Sequence, residues 1–132
     1  MLDKRKFYIN GQWVEPKRPN DFNVINPCNE DPCAIISLGS KEDTNAAIES
    51  AKNAFETWKE TTKEDRLNYL EKLLSVYKKR SREMAAAISL EMGAPMDWAT
   101  EVQTASGQSH LEDFILRLKD FEFDEHFNKK SN

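Results

Sequence analysis

The sequence predicts an α/β chain in which short strands come first and about four helices follow. Three observations predict this fold class. Asn10-Gly11 separates two runs of β-forming residues, and Ser40 marks a change to helical spacing. From there, apolar residues recur at every third or fourth position, which is typical of helices with one buried face. The 132 residues are enough for one core, so we expect a single domain.

Residues 1–40 are predicted to form strands and turns. Asn-Gly is typical of a type I′ hairpin turn, because both central residues of that turn take positive φ, so residues 7–9 should pair with residues 13–14. Two further extended runs cover residues 22–26 and 34–38. The segment that joins them is rich in turn-forming residues.

Residues 41–120 are predicted to be helical. Ser40 and Asp43 have the spacing of a capping box at the start of the first helix. One face of this helix carries Ala47, Ala51, Ala54, Phe55 and Trp58. Because small side chains dominate that face, we expect the helix to pack closely against another element.

The second and third helices have their own boundary signals. Thr61 with Glu64, or Thr62 with Asp65, would cap the second helix, whose apolar stripe is Leu67, Leu70, Leu73, Leu74 and Tyr77. Ser81 is predicted to cap the third helix. Gly93 is predicted to end it in a left-handed conformation, and Pro95 to be the first helical residue of the fourth.

The fourth helix is predicted to run from about Pro95 to about Lys119. Its apolar stripe is Trp98, Val102, Ala105 and Ser109, continued by Leu111, Phe114, Ile115 and Leu118. Gly107 inside a helix costs about 1 kcal/mol relative to Ala, so we expect close packing there. In residues 121–132, Phe121 and Phe123 alternate with acidic residues, which favours the start of a strand.

Composition and charge exclude several classes of protein. A net charge of −4 argues against a nucleic-acid binder. No apolar run approaches the length of a membrane span, and the charged first residues do not precede the apolar stretch of a signal peptide. We therefore expect a cytoplasmic protein whose two cysteines, Cys28 and Cys33, are reduced.

No catalytic constellation is visible among the residues. None of the four glycines has the spacing of a phosphate-binding loop, so no cofactor-binding residue is predicted. Zinc would need two ligands besides Cys28 and Cys33, and His110 and His126 are the only histidines. We interpret His110 as a packed helix residue rather than a catalytic one.

Four segments in order nevertheless resemble the aldehyde dehydrogenase superfamily. They are residues 8–14 (similar to the family's "INGEWV" hairpin), residues 24–30, residues 46–58 and residues 90–95. Cys28-Asn29-Glu30 replaces the family's usual Ala/Ser-Thr-Gly-Glu, and Ala94 replaces a common lysine. Each motif is weak alone, but all four at family spacing, over roughly residues 6–127, are specific.

The resemblance implies a place for the chain within the family's fold. Residues 1–132 would be the N-terminal part of a Rossmann-like coenzyme-binding domain, whose sheet is built by later sequence. By position, Val102, Gln103 and Ser106 would face the substrate tunnel. The backbone around Ile25 and Glu91 resembles a site where some members hold a monovalent cation. Residues 121–132 would begin a strand used in oligomerisation.

The resemblance also implies a chemistry for the parent enzyme. A cysteine thiolate attacks the aldehyde, hydride passes to NAD or NADP, and a glutamate-activated water releases the carboxylic acid. The catalytic cysteine and glutamate of the family lie beyond the matched segment, and neither Cys28 nor Cys33 matches the catalytic position. We therefore expect this chain alone to be inactive and to bind no coenzyme. Its expected partner is the remainder of the enzyme or a second copy.

A second hypothesis stays open from the residues. The chain would then be a non-catalytic helical module that binds a protein partner through exposed apolar helix faces. Those faces carry Leu67, Leu70, Leu73, Phe114 and Leu118. Exposed apolar patches of this kind mark interaction surfaces in either hypothesis.

Overall fold

The computed structural model describes residues 1–124, and in them short strands precede the helices as predicted. The strands are β1 (Leu2–Asp3), β2 (Phe7–Ile9), β3 (Gln12–Val14), β4 (Asp21–Ile25) and β5 (Pro32–Ser37). The helices are α1 (Lys41–Trp58), α2 (Lys63–Lys79), α3 (Ser81–Met92), α4 (Met96–Trp98) and α5 (Ala105–Asp120). A π-helical segment, Ala99–Thr104, joins α4 to α5 and is called the π segment below.

The strands form two small sheets. The predicted hairpin is confirmed: β2 pairs antiparallel with β3, and Asn10 and Gly11 have φ of 53° and 74° at the turn. The second sheet has the order β1-β5-β4, with β5 parallel to β1 and antiparallel to β4. The turn between β4 and β5 closes on the carbonyl of Asn26, which accepts from the backbone N–H of Glu30 at 2.8 Å.

Two helix starts have the predicted capping boxes. Ser40 Oγ accepts from the Asp43 backbone N–H at 3.2 Å, and the Asp43 carboxylate accepts from the Ser40 N–H at 2.9 Å. At α2, the pair is Thr62 with Asp65, one of the two predicted alternatives. Each cap satisfies N–H groups that have no partner within the helix.

Two other predicted boundaries are wrong. Ser81 does not cap α3, because Arg80 both ends α2 and precedes α3, so that Ser81 is already the first helical residue. Pro95 lies one residue before α4 with ψ of 140°, and its carbonyl accepts from the Ala99 N–H at 2.9 Å. Gly93 does end α3 as predicted, with φ of 70°.

The core of the described chain is small and lies mainly where α2, α3, the π segment and α5 pack together, with one further buried apolar residue on β5. Its buried apolar residues are Ala34, Ala85, Ala99, Ile115 and Leu118. Many large apolar side chains of the described residues are exposed instead, among them Trp13, Phe55 and Phe114. The described chain is therefore unusually open.

Helix α1 contributes most clearly to this openness. Its predicted packing face is exposed in the described residues, with Phe55 at 55% and Trp58 at 44% exposure. Asp43 is its one buried residue. After α5, residues 121–124 form no strand, and the rest of the predicted tail strand lies outside the described residues.

Candidate functional site

The π segment shifts the register of the long helix. Ala99 is completely buried and Thr104 is 2% exposed, although they are five residues apart. On an α-helix, five residues would place them about 140° apart around the axis. A π turn bonds each residue to the fifth one along, so it places both side chains on one side.

This shift corrects the predicted apolar stripe of the last helix. Trp98, Val102 and Phe114 were predicted to be on the buried side but are 56%, 41% and 60% exposed, and Ser109 is also exposed. Ile115 and Leu118 are buried, as the stripe predicted, so the expectation that Leu118 belongs to an exposed apolar face is wrong. The π turn changes the direction only of the residues before Thr104, such as Trp98 and Val102, whereas Ser109 and Phe114 are exposed within the regular part of α5.

A hydrogen bond from Tyr77 of α2 reaches the end of the π segment. The Tyr77 hydroxyl donates to the Thr104 carbonyl at 2.9 Å. A Cβ added to Gly107 would come within 3.0 Å of Tyr77 Cζ and closer still to its hydroxyl oxygen. The predicted close packing at Gly107 is thus confirmed, and the tyrosine ring is its partner.

The three residues predicted to face a tunnel lie together at this point of the helix. Val102 and Gln103 belong to the π segment, and Ser106 is the second residue of α5. Val102 and Ser106 are exposed, and Gln103 is half-buried. Among the described residues, the side-chain oxygens Gln103 Oε1 and Thr104 Oγ1 are buried without a hydrogen-bond partner. Such atoms are rare in native structures and often mark functional positions.

The backbone region predicted to hold a cation lies where β4 and α3 end. The turn after β4 packs on the end of α3: a Cβ on Gly93 would be 2.9 Å from Pro27 Cγ and 3.5 Å from Cys28 Sγ. Glu91 is in the last turn of α3, where free carbonyls carry the negative end of the helix dipole. That polarity favours a cation. Residues 1–124 contain no group of three or more His, Cys, Asp or Glu that could hold a metal ion.

A cleft of about 720 Å³ separates the larger sheet from helices α2 and α3. Its sheet side includes Leu2, Cys33 and Ala34, and its helix side includes Leu73, Val76, Tyr77, Met84 and Leu90. This largely apolar lining can receive an apolar group, and the charged residues Lys4, Arg80, Glu83 and Glu91 also line the cleft. The sequence analysis missed the cleft because its walls come from elements that are distant in the sequence.

The cysteines and the described histidine form no catalytic arrangement. Cys28 is exposed and Cys33 is half-buried, and both thiols are free. The Cys33 thiol donates to the Val24 carbonyl at 3.4 Å. His110 is exposed on α5, so its predicted packing is wrong; it lies on the same outer side of the helix as Ser106, four residues earlier. His126 lies outside the described residues.

Asp43 is the buried carboxylate of the described chain. It accepts hydrogen bonds from the Ser40 hydroxyl at 2.6 Å and from the Lys17 backbone N–H at 2.9 Å. These bonds, led by that of the Ser40 hydroxyl, lower the pKa of the carboxyl below its usual value of 3.8. Asp43 therefore ties the loop before β4 to the start of α1 and has a structural role.

The N-termini of α1 and α2 do not suit a phosphate. In α1 and α2 one first-turn N–H, that of Asp43 or of Asp65, already bonds to the cap side chain. Glu42, Asp43, Glu64 and Asp65 give these first turns negative charge. Helix N-termini otherwise attract phosphate, but the negative charge at these two termini repels an anion.

No helix within residues 1–124 combines the length and the apolar content that crossing a membrane requires.

The chain is similar to known proteins over nearly its whole length. The model of the aldehyde dehydrogenase family matches residues 13–131. A 3-succinoylsemialdehyde-pyridine dehydrogenase from a Pseudomonas species is 40% identical over 126 residues, which are 95% of this chain and 26% of that protein. The chain thus spans about a quarter of the length of such relatives.

Solved structures agree with the sequence matches. An aldehyde dehydrogenase from Bartonella henselae is 52% identical with a TM-score of 0.95, covering 99% of this chain and 28% of that one. Aldehyde dehydrogenase C from Pseudomonas syringae, solved as a mutant with NAD+ and octanal, is 32% identical with a TM-score of 0.91. That match covers 94% of this chain and 26% of the other. The strands and helices described above therefore have the arrangement found in the N-terminal part of that family's coenzyme-binding domain.

Proposed function

The chain belongs to the aldehyde dehydrogenase family, and from this premise we propose that it serves an enzyme that oxidises an aldehyde to a carboxylic acid with NAD or NADP. The observation that carries the proposal is the likeness to the Bartonella henselae enzyme, with a TM-score of 0.95 over 99% of the chain. The relative with NAD+ and octanal supports the coenzyme and the substrate class. Within this enzyme, the chain is scaffold and part of the tunnel wall.

We assign the coenzyme and the catalytic cysteine and glutamate to the rest of the enzyme. The capped, acidic N-termini of α1 and α2 do not suit a pyrophosphate. Cys28 and Cys33 have no basic side chain hydrogen-bonded to the thiol among the described residues. Thiolate chemistry needs such activation, so the 132 residues alone should form no NADH.

The tunnel wall is the direct contribution that we propose for this chain. Val102, Gln103 and Ser106 form a short strip at the π segment, where helices often depart from regular geometry near functional sites. A large residue within the strip would narrow the tunnel. Long aldehydes would then lose more rate than short ones, since the longer chain must pass the narrowed part.

The backbone around Ile25 and Glu91 is our proposed place for a monovalent cation. The support is the negative end of the α3 dipole beside the turn that follows β4. The test is the melting temperature of the whole enzyme in potassium, sodium and choline chloride at equal ionic strength. A specific site predicts stabilisation by one alkali cation, and equal melting temperatures in all three salts would refute it.

The remainder of the enzyme is the partner that we propose for the exposed apolar faces. Large apolar side chains are exposed on the described helices, among them Phe55, Leu73 and Phe114, and such exposed apolar faces mark interaction surfaces. The tail from Phe121 would lead into the oligomerisation strand. The free thiols fit a reducing compartment, so we assign the enzyme to the cytoplasm.

The test of the proposed function uses the full-length enzyme that contains this chain. NADH and NADPH formation is followed by absorbance with acetaldehyde and octanal, for the wild type and for Ser106→Phe. We expect Ser106→Phe to change the ratio of the two kcat/KM values by roughly tenfold or more. The matched control is Ser75→Phe, at an exposed serine of α2.

Each result has a distinct meaning. Failure to form NADH or NADPH with any aldehyde would refute the proposed oxidation. Activity with the same ratio in Ser106→Phe and the wild type would refute the tunnel assignment and leave the oxidation standing. An equal change in Ser75→Phe would attribute the effect to general disturbance by a large residue.

A further inference from the structure

We infer that Tyr77 is a positioning residue for aldehyde selectivity, because it holds the π segment in the register that sets the direction of Val102 and Gln103 relative to α5 and the core. The inference rests on the tunnel wall proposed above and adds a residue that does not belong to the strip. Tyr77 lies on α2, on the other side of a helix pair, and reaches the long helix through its hydroxyl.

The first step of the argument is that the π segment needs an external partner. π-helical bonding is rare and appears mostly as single turns, because the α-helix is the preferred form of the same backbone. Here the last residue of the turn, Thr104, accepts a hydrogen bond at 2.9 Å from the Tyr77 hydroxyl. Gly107 leaves the space that the tyrosine ring occupies, since a Cβ would come within 3.0 Å of Cζ.

The second step is that this register decides in which direction the side chains of the π segment point relative to α5 and the core. If the turn relaxed to an α-helix, the residues before Thr104 would rotate by about 100° relative to α5. Ala99 and Thr104 are both buried now, and one of the two would then leave the core. Val102 and Gln103 would rotate with Ala99, while Ser106 would stay in place. The three residues would remain neighbours, as residues three and four apart are on an α-helix, but Val102 and Gln103 would point in a different direction relative to the core. The direction of the strip thus depends on the register that Tyr77 holds.

The third step is that the segment is not built for stability alone. Gln103 Oε1 and Thr104 Oγ1 are buried and have no hydrogen-bond partner among the described residues. An unsatisfied buried polar atom destabilises a fold. Two such atoms, in an uncommon helix geometry beside the proposed strip, support a requirement for orientation at this segment.

The experiment compares Tyr77→Phe with the wild type in the full-length enzyme, using acetaldehyde and octanal. Phenylalanine keeps the ring and removes the hydrogen bond to Thr104. We expect the octanal-to-acetaldehyde ratio of kcat/KM to change about fivefold, which corresponds to one hydrogen bond, with the larger part of the change in KM for octanal. Gly107→Ala, which presses on the same ring from the other helix, should change the ratio in the same direction.

The matched control is Tyr69→Phe, at an exposed tyrosine of the same helix, and it should leave the ratio unchanged. Melting temperatures separate positioning from stability. A lower melting temperature in Tyr77→Phe with a wild-type ratio would overturn the inference. If Ser106→Phe changes the ratio and neither Tyr77→Phe nor Gly107→Ala does, Tyr77 has no positioning role and the tunnel wall stands. If none of the three variants changes the ratio, both the tunnel wall and the inference about Tyr77 are refuted.

Discussion

Gly107→Ala is expected to destabilise the fold, although alanine is the better helix former. Helix propensity alone would stabilise α5 by about 1 kcal/mol. The new Cβ, however, would meet the Tyr77 ring within 3.0 Å of Cζ, so the ring must move. Moving it breaks the 2.9 Å bond to the Thr104 carbonyl, worth about 1 kcal/mol, and overpacks the contact at a cost of about 1–3 kcal/mol. The net loss should be about 1–3 kcal/mol.

The assay is urea unfolding of the 132-residue chain at low micromolar concentration, followed by far-ultraviolet circular dichroism. The same substitution is also made in a Tyr77→Ala background, where the ring is absent and alanine should stabilise by about 1 kcal/mol. Ser109→Ala, at an exposed position of α5, is the control for propensity alone. An equal effect of Gly107→Ala in both backgrounds would refute the reasoning, because it would show that the ring does not determine the outcome.

Three further predictions test the caps, the buried carboxylate and the open surface. Thr62→Ala should lower the free energy of unfolding by about 1 kcal/mol, whereas Ser81→Ala should be nearly neutral since Ser81 caps nothing; equal losses in urea unfolding would contradict this. The lowered pKa of Asp43 means that its ionised form stabilises the fold above the usual pKa of 3.8 and that this contribution is lost as pH falls through the lower folded-state value. The difference in unfolding free energy between the wild type and Asp43→Asn should therefore shrink as pH falls below 3.8, and a difference that stays constant with pH would refute this assignment. Light scattering of the chain alone should show self-association that rises with concentration, because its apolar faces are exposed; a monodisperse monomer with a cooperative melt would instead favour the helical module.

The parts of the fold that the sequence predicted correctly are those decided within a few residues. Asn10-Gly11 determines the hairpin because both residues must take positive φ. The caps at Ser40 and Thr62 depend on a side chain three residues later. Gly93 ends α3 through its own left-handed conformation. Such signals need no knowledge of the rest of the chain.

The parts that could not be predicted depend on contacts between distant elements. Ser81 has the residue type of a cap, but the end of α2 at Arg80 takes that position. His110 was expected to be packed, since the stripe was drawn with one period over the whole helix. The apolar cleft needs β1, β5, α2 and α3 together. None of these facts is present in a local pattern of residue types.

The long helix also explains why the proposed site was predicted only by resemblance. Val102, Gln103 and Ser106 are not residue types that indicate a particular chemistry. Their proposed contribution to the tunnel wall depends on the direction in which their side chains point. That orientation depends on one extra residue in a turn, on a glycine one helical turn further, and on a tyrosine from another helix. The π turn is indicated by the burial of both Ala99 and Thr104, which are five residues apart. Burial cannot be read directly from a sequence. A relative that keeps Tyr77 and Gly107 but changes the strip should therefore keep the helix register and change its aldehyde preference, whereas loss of Tyr77 should alter both.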